Sequence, residues 1–280
     1  MEIAAPNTRL AFLLQHIIMA FAERLERFVA KPISPAFRRQ HPAEAGLPMI
    51  DIRPFATLGH ANHGWLDARH HFSFASYHDP ARMGWGSIRV WNDDTIAAQS
   101  GFPPHPHSDM EIVTFVRSGA ITHQDSLGNK GRTAAGDVQV MSAGTGITHA
   151  EYNIENETTT LFQIWILPDR RGEAPGWGQR EFPGAGREGG FEVLASGTSE
   201  ADDALSIRTD ARVAATTLKA GQQAVWRTGA ERHPYLVAPT GRIRVNGVEA
   251  QARDGVAITG ESEIVVEALE DAEVVLVDAR

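Results

Sequence analysis

Cysteine is absent from the 280 residues of this chain. Its absence excludes disulfide bridges, thiol nucleophiles, and the thiolate ligands of structural zinc sites and iron–sulfur clusters. Positive charge is in deficit, because 26 Lys and Arg stand against 35 Asp and Glu, for a net charge of -9. Nucleic acid is therefore not an expected partner, since phosphate binding relies on clustered Lys and Arg. The lack of cysteine fits a cytoplasmic location, which we predict.

The apolar stretch at residues 10–29 also lacks Gly and Pro, and it ends in charges at helical spacing, so we predict a helix there. The stretch is too short, and too interrupted by Gln15 and His16, to span a bilayer, and we expect no membrane partner. The prolines between residues 32 and 48 cannot continue a helix. We therefore predict that residues 1–48 are an extension, helical and then linker-like.

From Met49 onward the chain consists of short β-prone runs separated by Gly, Pro, Asn and Asp. This pattern predicts an all-β protein of antiparallel sandwiches or small barrels. The predicted strands are 86–91, 111–116, 120–123, 138–141, 161–167, 211–220, 235–238, 242–245, 264–268 and 273–277. We predict a turn at Asn92-Asp93-Asp94 and a hairpin turn at Asn246-Gly247. Residues 168–190 have the composition of a connection, so we divide the chain into domains 49–168 and 169–280.

Two short motifs in the first domain carry candidate metal ligands: His105-Pro106-His107 and His149-Ala150-Glu151. Side chains at i and i+2 of a strand lie on one face, so each motif presents two ligands to the same side. Imidazoles and a carboxylate suit a divalent first-row metal such as Fe(II). Glu111 has the same parity as His105 and His107, so strand geometry alone does not choose between Glu111 and Glu151.

Several other residues have two interpretations from sequence. The spacing His60-x-x-His63 is compatible with metal binding, but we favour a folded loop over a barrel mouth. His123 is a candidate for the wall of the cavity, where it would orient a ligand or the substrate. Five large apolar residues either line a flat cavity or pack as ordinary core: Phe102, Phe115, Met141, Phe162 and Trp165.

The longer motifs resemble the pirin family: HANHGWLD, FPPHPHSDMEIVTFV, HQDSLGNKG, GDVQVMSAGTGITHAEYN and FQIWILP. The resemblance begins near Met49 and continues to the C-terminus. It implies a bicupin, in which two jelly-roll β-barrels follow one another and only the first holds a metal. The second half has one histidine, His233, and no His-x-His, as a degenerate cupin would. Residues 1–48 depart from the usual bacterial pirin.

The resemblance implies His105, His107, His149 and Glu151 as metal ligands, with Fe(II) expected and another divalent metal as the alternative. It is closest to bacterial pirins described as quercetin dioxygenases. The implied activity is of the quercetin 2,4-dioxygenase type: O2 opens the heterocyclic ring of a flavonol and carbon monoxide is released. Glu151 would also accept the proton of the flavonol hydroxyl.

Two other functions remain open at this point. One is a non-enzymatic, iron-dependent pirin that regulates a protein partner. The other is a non-oxidative cupin enzyme, such as an isomerase, that uses another divalent metal. We expect a monomer in each case.

Overall fold

The computed structural model describes residues 49–182, 187–198 and 203–280. The predicted extension, residues 1–48, lies outside this part of the chain. The described residues form 22 strands: β1 (Met49–Arg53), β2 (Gly59–Asn62), β3 (Leu66–His70), β4 (Ile88–Ile96), β5 (Ser100–His107), β6 (Glu111–Ser118), β7 (Ala120–Asp125), β8 (Lys130–Ala134), β9 (Val138–Ser142), β10 (Ile147–Asn153), β11 (Thr159–Ile166), β12 (Gly176–Arg180), β13 (Glu192–Ser196), β14 (Leu205–Ser206), β15 (Ala211–Leu218), β16 (Gln223–Arg227), β17 (His233–Thr240), β18 (Ile243–Val245), β19 (Val248–Ala250), β20 (Gly255–Thr259), β21 (Glu263–Ala268) and β22 (Ala272–Ala279). Two short 3-10 helices, Phe55–Thr57 and Pro80–Arg82, complete the described elements. None of the helices in the described ranges is long and apolar enough to cross a membrane.

The first domain is a sandwich of a seven-stranded and a four-stranded sheet. Their strand orders are β12-β9-β6-β11-β4-β3-β2 and β5-β10-β7-β8. Side chains along strand β11 alternate between the two faces of the sheet. Leu161 and Trp165, on one face, join the apolar clusters inside this barrel. Phe162 and Ile164, on the other face of β11, join a core shared with the second domain. The seven-stranded sheet is therefore apolar on both faces.

The second domain repeats this arrangement with different contents. Its sheets have the orders β1-β20-β17-β22-β15-β13-β14 and β16-β21-β18-β19. Its interior is a cluster of aliphatic side chains and Trp226. The predicted hairpin is confirmed, because Asn246 and Gly247 join β18 to β19 with φ values of 43° and 88°. Positive φ at both central residues is what a tight type I′ turn requires.

The two seven-stranded sheets pack against each other, and Phe115, Tyr235 and Val277 lie in their common core. Two strands cross the predicted domain boundary: β1 pairs with β20 of the second sheet pair, and β12 pairs with β9 of the first. The all-β fold of two cupin barrels is confirmed, whereas the division at residues 168 and 169 stays a prediction.

The predicted turn at Asn92-Asp93-Asp94 was wrong. These residues lie in the middle of the long strand β4. Turn-forming side chains fit there because two of them have partners: His70 Nδ1 donates to Asn92 Oδ1 over 2.8 Å, and Arg117 and Arg253 bind Asp93. The predicted connection at 168–190 also contains a strand, β12, which its Gly-rich sequence conceals.

Candidate metal centre

Two adjacent antiparallel strands, β5 and β10, bring three histidines together. His149 on β10 pairs directly with His105 on β5, and Ile147 pairs with His107. One ring nitrogen from each of the three histidines lies within 4.8 Å of the others. The ring centroids of His105 and His149 are 4.5 Å apart, and those of His107 and His149 are 5.0 Å apart. This spacing allows all three imidazoles to bind one metal ion.

A bulge shapes strand β5 beside the histidines. His149 pairs with His105 and Glu151 with Phe102, so Pro103 and Pro104 together face Ala150. Proline has no N–H to donate, and it is tolerated in a strand at such an irregularity. The extra residue lies on β5, so β10 keeps its alternation. His149 and Glu151 therefore both remain buried, as the spacing predicts.

The histidines are in the protonation state that metal binding needs. Burial lowers the pKa of His105, and lowers the pKa values of His107 and His149 far below the usual value. The Nδ1–H of His105 donates to the carbonyl oxygen of Pro103 over 2.8 Å, which leaves Nε2 with its lone pair. His149 Nε2 is buried and has no hydrogen-bond partner in the described protein. A divalent cation fits this donor set, because it would satisfy that nitrogen.

Glu151 lies beside the histidines but in a second group. Its carboxylate is grouped with His149 and His123 within 4.8 Å, so the four predicted ligands fall into two clusters that share His149. Gln139 and Gln163 donate to the two carboxylate oxygens over 2.5 and 2.8 Å. Burial raises the pKa of Glu151 to about 7. A nearby cation would oppose this shift, because it favours the ionised carboxylate.

His123 connects the centre to a buried carboxylate. Its Nε2–H donates to Asp125 Oδ2 over 3.0 Å, so its Nδ1 carries the lone pair. His149 Nδ1 lies 3.4 Å from this nitrogen and acts as the donor. This order of donors leaves the lone pair of His149 on Nε2, the nitrogen that has no hydrogen-bond partner in the described protein. His123 also stacks on Trp177, with ring planes 10° apart.

Two family models match the chain: Pirin over residues 52–166, and the quercetinase C-terminal cupin domain over residues 193–279. A pirin-like protein of Caulobacter vibrioides is 64% identical over 231 residues, which are 82% of this chain and 100% of that protein. The chain belongs to the pirin family. A quercetin 2,3-dioxygenase of Escherichia coli is 44% identical over 231 residues, 82% of this pirin and 98% of that protein. The chain is also similar to a solved structure, the bacterial pirin YhhW from Escherichia coli in complex with nickel(II). The two sequences are 44% identical, and the structures superpose with a TM-score of 0.77 over 82% of this pirin and 99% of that chain.

The alternative carboxylate, Glu111, is engaged elsewhere in this pirin. Ser142 Oγ donates to it over 2.6 Å, and the backbone N–H of Arg208 donates over 3.1 Å. Glu111 belongs to neither metal-ligand group among the described residues. His60 pairs with Asp67 at 3.2 Å on the exposed hairpin of β2 and β3, whereas His63 lines the cavity.

A cavity of about 740 Å³, counted out to its open mouth, lies against the centre and includes His105 and Glu151 in its wall. Of the five large apolar residues with two interpretations, Phe102 and Trp165 line this cavity. Phe115 and Phe162 belong to the core between the domains, and Met141 packs in a barrel cluster. The cavity is therefore aromatic on the side next to the histidines.

The glutamines that hold Glu151 were not predicted from the sequence. Gln139 and Gln163 are each a single amide within an apolar strand, VQVMS and LFQIWI. A lone buried amide in such a strand needs a partner, because an unpaired polar group in a core costs free energy. A single glutamine in each of these apolar strands was therefore the sequence feature that could have indicated a buried polar partner.

Proposed function

We propose that this pirin is a metal-dependent dioxygenase that opens the heterocyclic ring of a flavonol such as quercetin with O2 and releases carbon monoxide. The observation that carries the proposal is a group of three imidazoles, two buried and one partly buried, at the wall of an aromatic-lined cavity; one of the buried rings has an unpaired nitrogen. The name of the Escherichia coli relative, quercetin 2,3-dioxygenase, supports the reaction class. Release of carbon monoxide corresponds to attack at carbons 2 and 4 of the flavonol, which is the form of the reaction we propose.

In this proposal His105, His107, His149 and Glu151 hold the metal, which we take to be Fe(II). Three imidazoles and one carboxylate form the ligand set that such a metal accepts. Glu151 is already grouped with His149, which is shared with the three-histidine group, and this supports its place in the ligand set. When bound, the metal supplies O2 activation and a binding position for the flavonol oxygens.

The protein residues bind and orient the substrate. Phe102 and Trp165 offer flat apolar surfaces to an aromatic ring and keep water away from the reacting carbons. The carboxylate of Glu151 accepts the proton of the flavonol hydroxyl. Gln163 donates to Glu151, and its own oxygen accepts from the indole N–H of Trp165 over 3.2 Å. This network fixes the base relative to the aromatic wall.

The test is turnover by protein stripped of metal and reloaded anaerobically with Fe(II), Mn(II), Ni(II) or Zn(II). We expect quercetin loss, O2 uptake and carbon monoxide release in equal amounts with Fe(II), and no O2 uptake with redox-inert Zn(II). Equal activity with Zn(II) and no O2 uptake would indicate the non-oxidative enzyme instead. Bound iron without any turnover of flavonols would contradict the dioxygenase and favour the regulatory function.

A further inference from the structure

The cavity wall carries a second group of polar residues, on the sheet opposite the one that bears the three clustered histidines. His70 on β3, and Asn92 and Asp94 on β4, line the cavity from the seven-stranded sheet, which faces the sheet that bears the histidines. His70 and Asn92 satisfy each other through their 2.8 Å hydrogen bond. Asp94 is only 1% exposed, and its Oδ1 has no hydrogen-bond partner in the described protein.

The neighbouring residue Asp93 shows how differently the fold treats a structural carboxylate. Asp93 points to the opposite face of β4, where Arg117 and Arg253 both bind it. Asp94 faces the barrel interior, with Leu161 opposite it on β11 and Ala68 opposite it on β3. Neither neighbour can donate a hydrogen bond through its side chain. Asp94 therefore keeps an acceptor oxygen that neither of these two neighbours can satisfy.

A buried carboxyl group without a partner destabilises the folded state. Burial raises the pKa of Asp94 well above its usual range, and the charges of Asp93 and Glu151 act in the same direction. Burial therefore favours the protonated form of this carboxyl group, which has one O–H donor and free acceptor capacity. A hydroxyl group is the complementary partner, because it also donates one hydrogen bond and accepts others.

We propose that Asp94 binds a phenolic hydroxyl on the part of the substrate that lies against the seven-stranded sheet. Asp94 then selects polyhydroxylated aromatic substrates over those without such hydroxyls. This inference rests on the proposed function, since it assigns a second substrate contact in the same cavity. A site that hydrogen-bonds a substrate hydroxyl discriminates strongly against the analogue that lacks it, because the buried partner is then left unpaired.

The test compares quercetin with 3-hydroxyflavone, which keeps the 3-hydroxyl and 4-oxo groups and lacks the other hydroxyls. Dissociation constants are measured anaerobically on metal-loaded protein by quenching of tryptophan fluorescence, so that no turnover is needed. The variants are Asp94→Leu, which removes the polar group at similar size, and Asp94→Asn, which keeps a donor and an acceptor. Asp67→Leu is the matched control, because Asp67 lies on the neighbouring strand β3 with a side chain 42% exposed.

We expect Asp94→Leu to reduce the preference for quercetin over 3-hydroxyflavone by about tenfold, while Asp94→Asn keeps most of it. We also expect Asp94→Leu to raise the melting temperature of the ligand-free protein, because the unpaired carboxyl is removed. A structural carboxyl would have the opposite effect, so a lower melting temperature or failure to fold would overturn the inference.

An unchanged preference in Asp94→Leu would likewise overturn it, and would leave the dioxygenase proposal standing. Wild-type protein that bound neither flavonol would instead overturn the proposed substrate class, and the assignment of Asp94 with it.

Discussion

At the scale of single residues, His123 sets which nitrogen of His149 keeps its lone pair. Asp125 fixes the tautomer of His123, and His123 accepts from His149 Nδ1. We expect His123→Phe to weaken metal binding by about 10- to 100-fold, because residues that orient a ligand typically contribute that much. Phenylalanine keeps the stacking on Trp177, so the change isolates the hydrogen bonds.

Metal affinity in the His123→Phe protein can be measured by competition with a chelator. His60→Phe is the control, because His60 is an exposed residue outside the ligand groups of the described protein. We expect His60→Phe to bind metal as the wild type does. Wild-type affinity in His123→Phe would show that His149 needs no orienting partner.

His71 makes the stability of the protein depend on pH. It is buried between the domains, its Nδ1 lies 2.9 Å from the hydroxyl of Tyr235, and burial lowers its pKa well below 6.5. The folded state therefore holds His71 neutral. The unfolded state takes up a proton as the pH falls below 6.5, so the contribution of His71 is complete above that pH and is lost below it.

Replacing His71 by glutamine removes this proton uptake and keeps a polar partner for Tyr235. Below pH 6.5, we expect the unfolding free energy of the wild type to fall relative to His71→Gln, with a slope of at most about 1.4 kcal/mol per pH unit. Urea unfolding at several pH values, with chelator present, measures the difference. Parallel pH profiles for the two proteins would contradict the assignment.

The grouping of His105 and His107 with His149, and of His149 with Glu151, was predictable from the sequence because a strand imposes a period of two on its side chains. The choice between Glu111 and Glu151 was not, since both have the required parity. The partners of Glu111, Ser142 and the backbone of Arg208, come from distant parts of the chain. The lack of a hydrogen-bond partner at Asp94 was also not predictable from the sequence, because its neighbours come from β3 and β11.

At the scale of elements, the close approach of β5 to β10 depends on Gly101. A Cβ added there would lie 2.5 Å from Tyr152 Cα and against the carbonyl oxygen of Glu151. Because backbone atoms cannot move aside easily, we expect Gly101→Ala to destabilise the protein by about 1–3 kcal/mol and to weaken metal binding. The two strands that carry the histidines would have to separate.

Gly190→Ala is the matched control, because a Cβ at Gly190 meets nothing within 4 Å. We expect this variant to unfold and bind metal as the wild type does. Urea unfolding and metal content measure both proteins. Normal metal content in Gly101→Ala would show that the two strands tolerate a wider separation.

Strands that consist of a nearly continuous buried run, such as β6, β9 and β11, were predicted close to their observed bounds. Strand β12 was missed because two glycines interrupt its sequence, GWGQR. The middle of β4 was misassigned to a turn because Asn and Asp favour turns locally. Long-range partners outweigh that preference, as the two arginines around Asp93 show.

At the scale of the whole molecule, one buried carboxylate joins the domains. Asp93 on β4 accepts from Arg253 Nε over 2.6 Å, and Arg253 belongs to the second domain. We expect Arg253→Ala to lower the unfolding free energy by about 2 kcal/mol, because the buried charge of Asp93 would keep its ion pair with Arg117 but lose its ion pair with Arg253. Urea unfolding measures this loss.

Arg227→Ala is the control, since its side chain is 87% exposed and its partner Glu263 is 50% exposed. Exposed ion pairs contribute little, so we expect a change below about 0.5 kcal/mol. Equal effects of the two substitutions would show that Asp93 needs only Arg117. The pairing of β1 with β20 and of β12 with β9 also joins the two domains, and no local pattern in the sequence predicts these pairings.

The central claim is that the histidine cluster and Glu151 hold a metal that oxidises a flavonol with O2. Its most direct test is metal content together with quercetin-dependent O2 uptake in wild type, His105→Ala and Glu151→Ala. We predict close to one metal ion per wild-type chain, with O2 uptake equal to quercetin loss. Both variants should lose the uptake and most of the metal. Full metal content and uptake in either variant, or wild-type protein that binds no metal, would contradict the account.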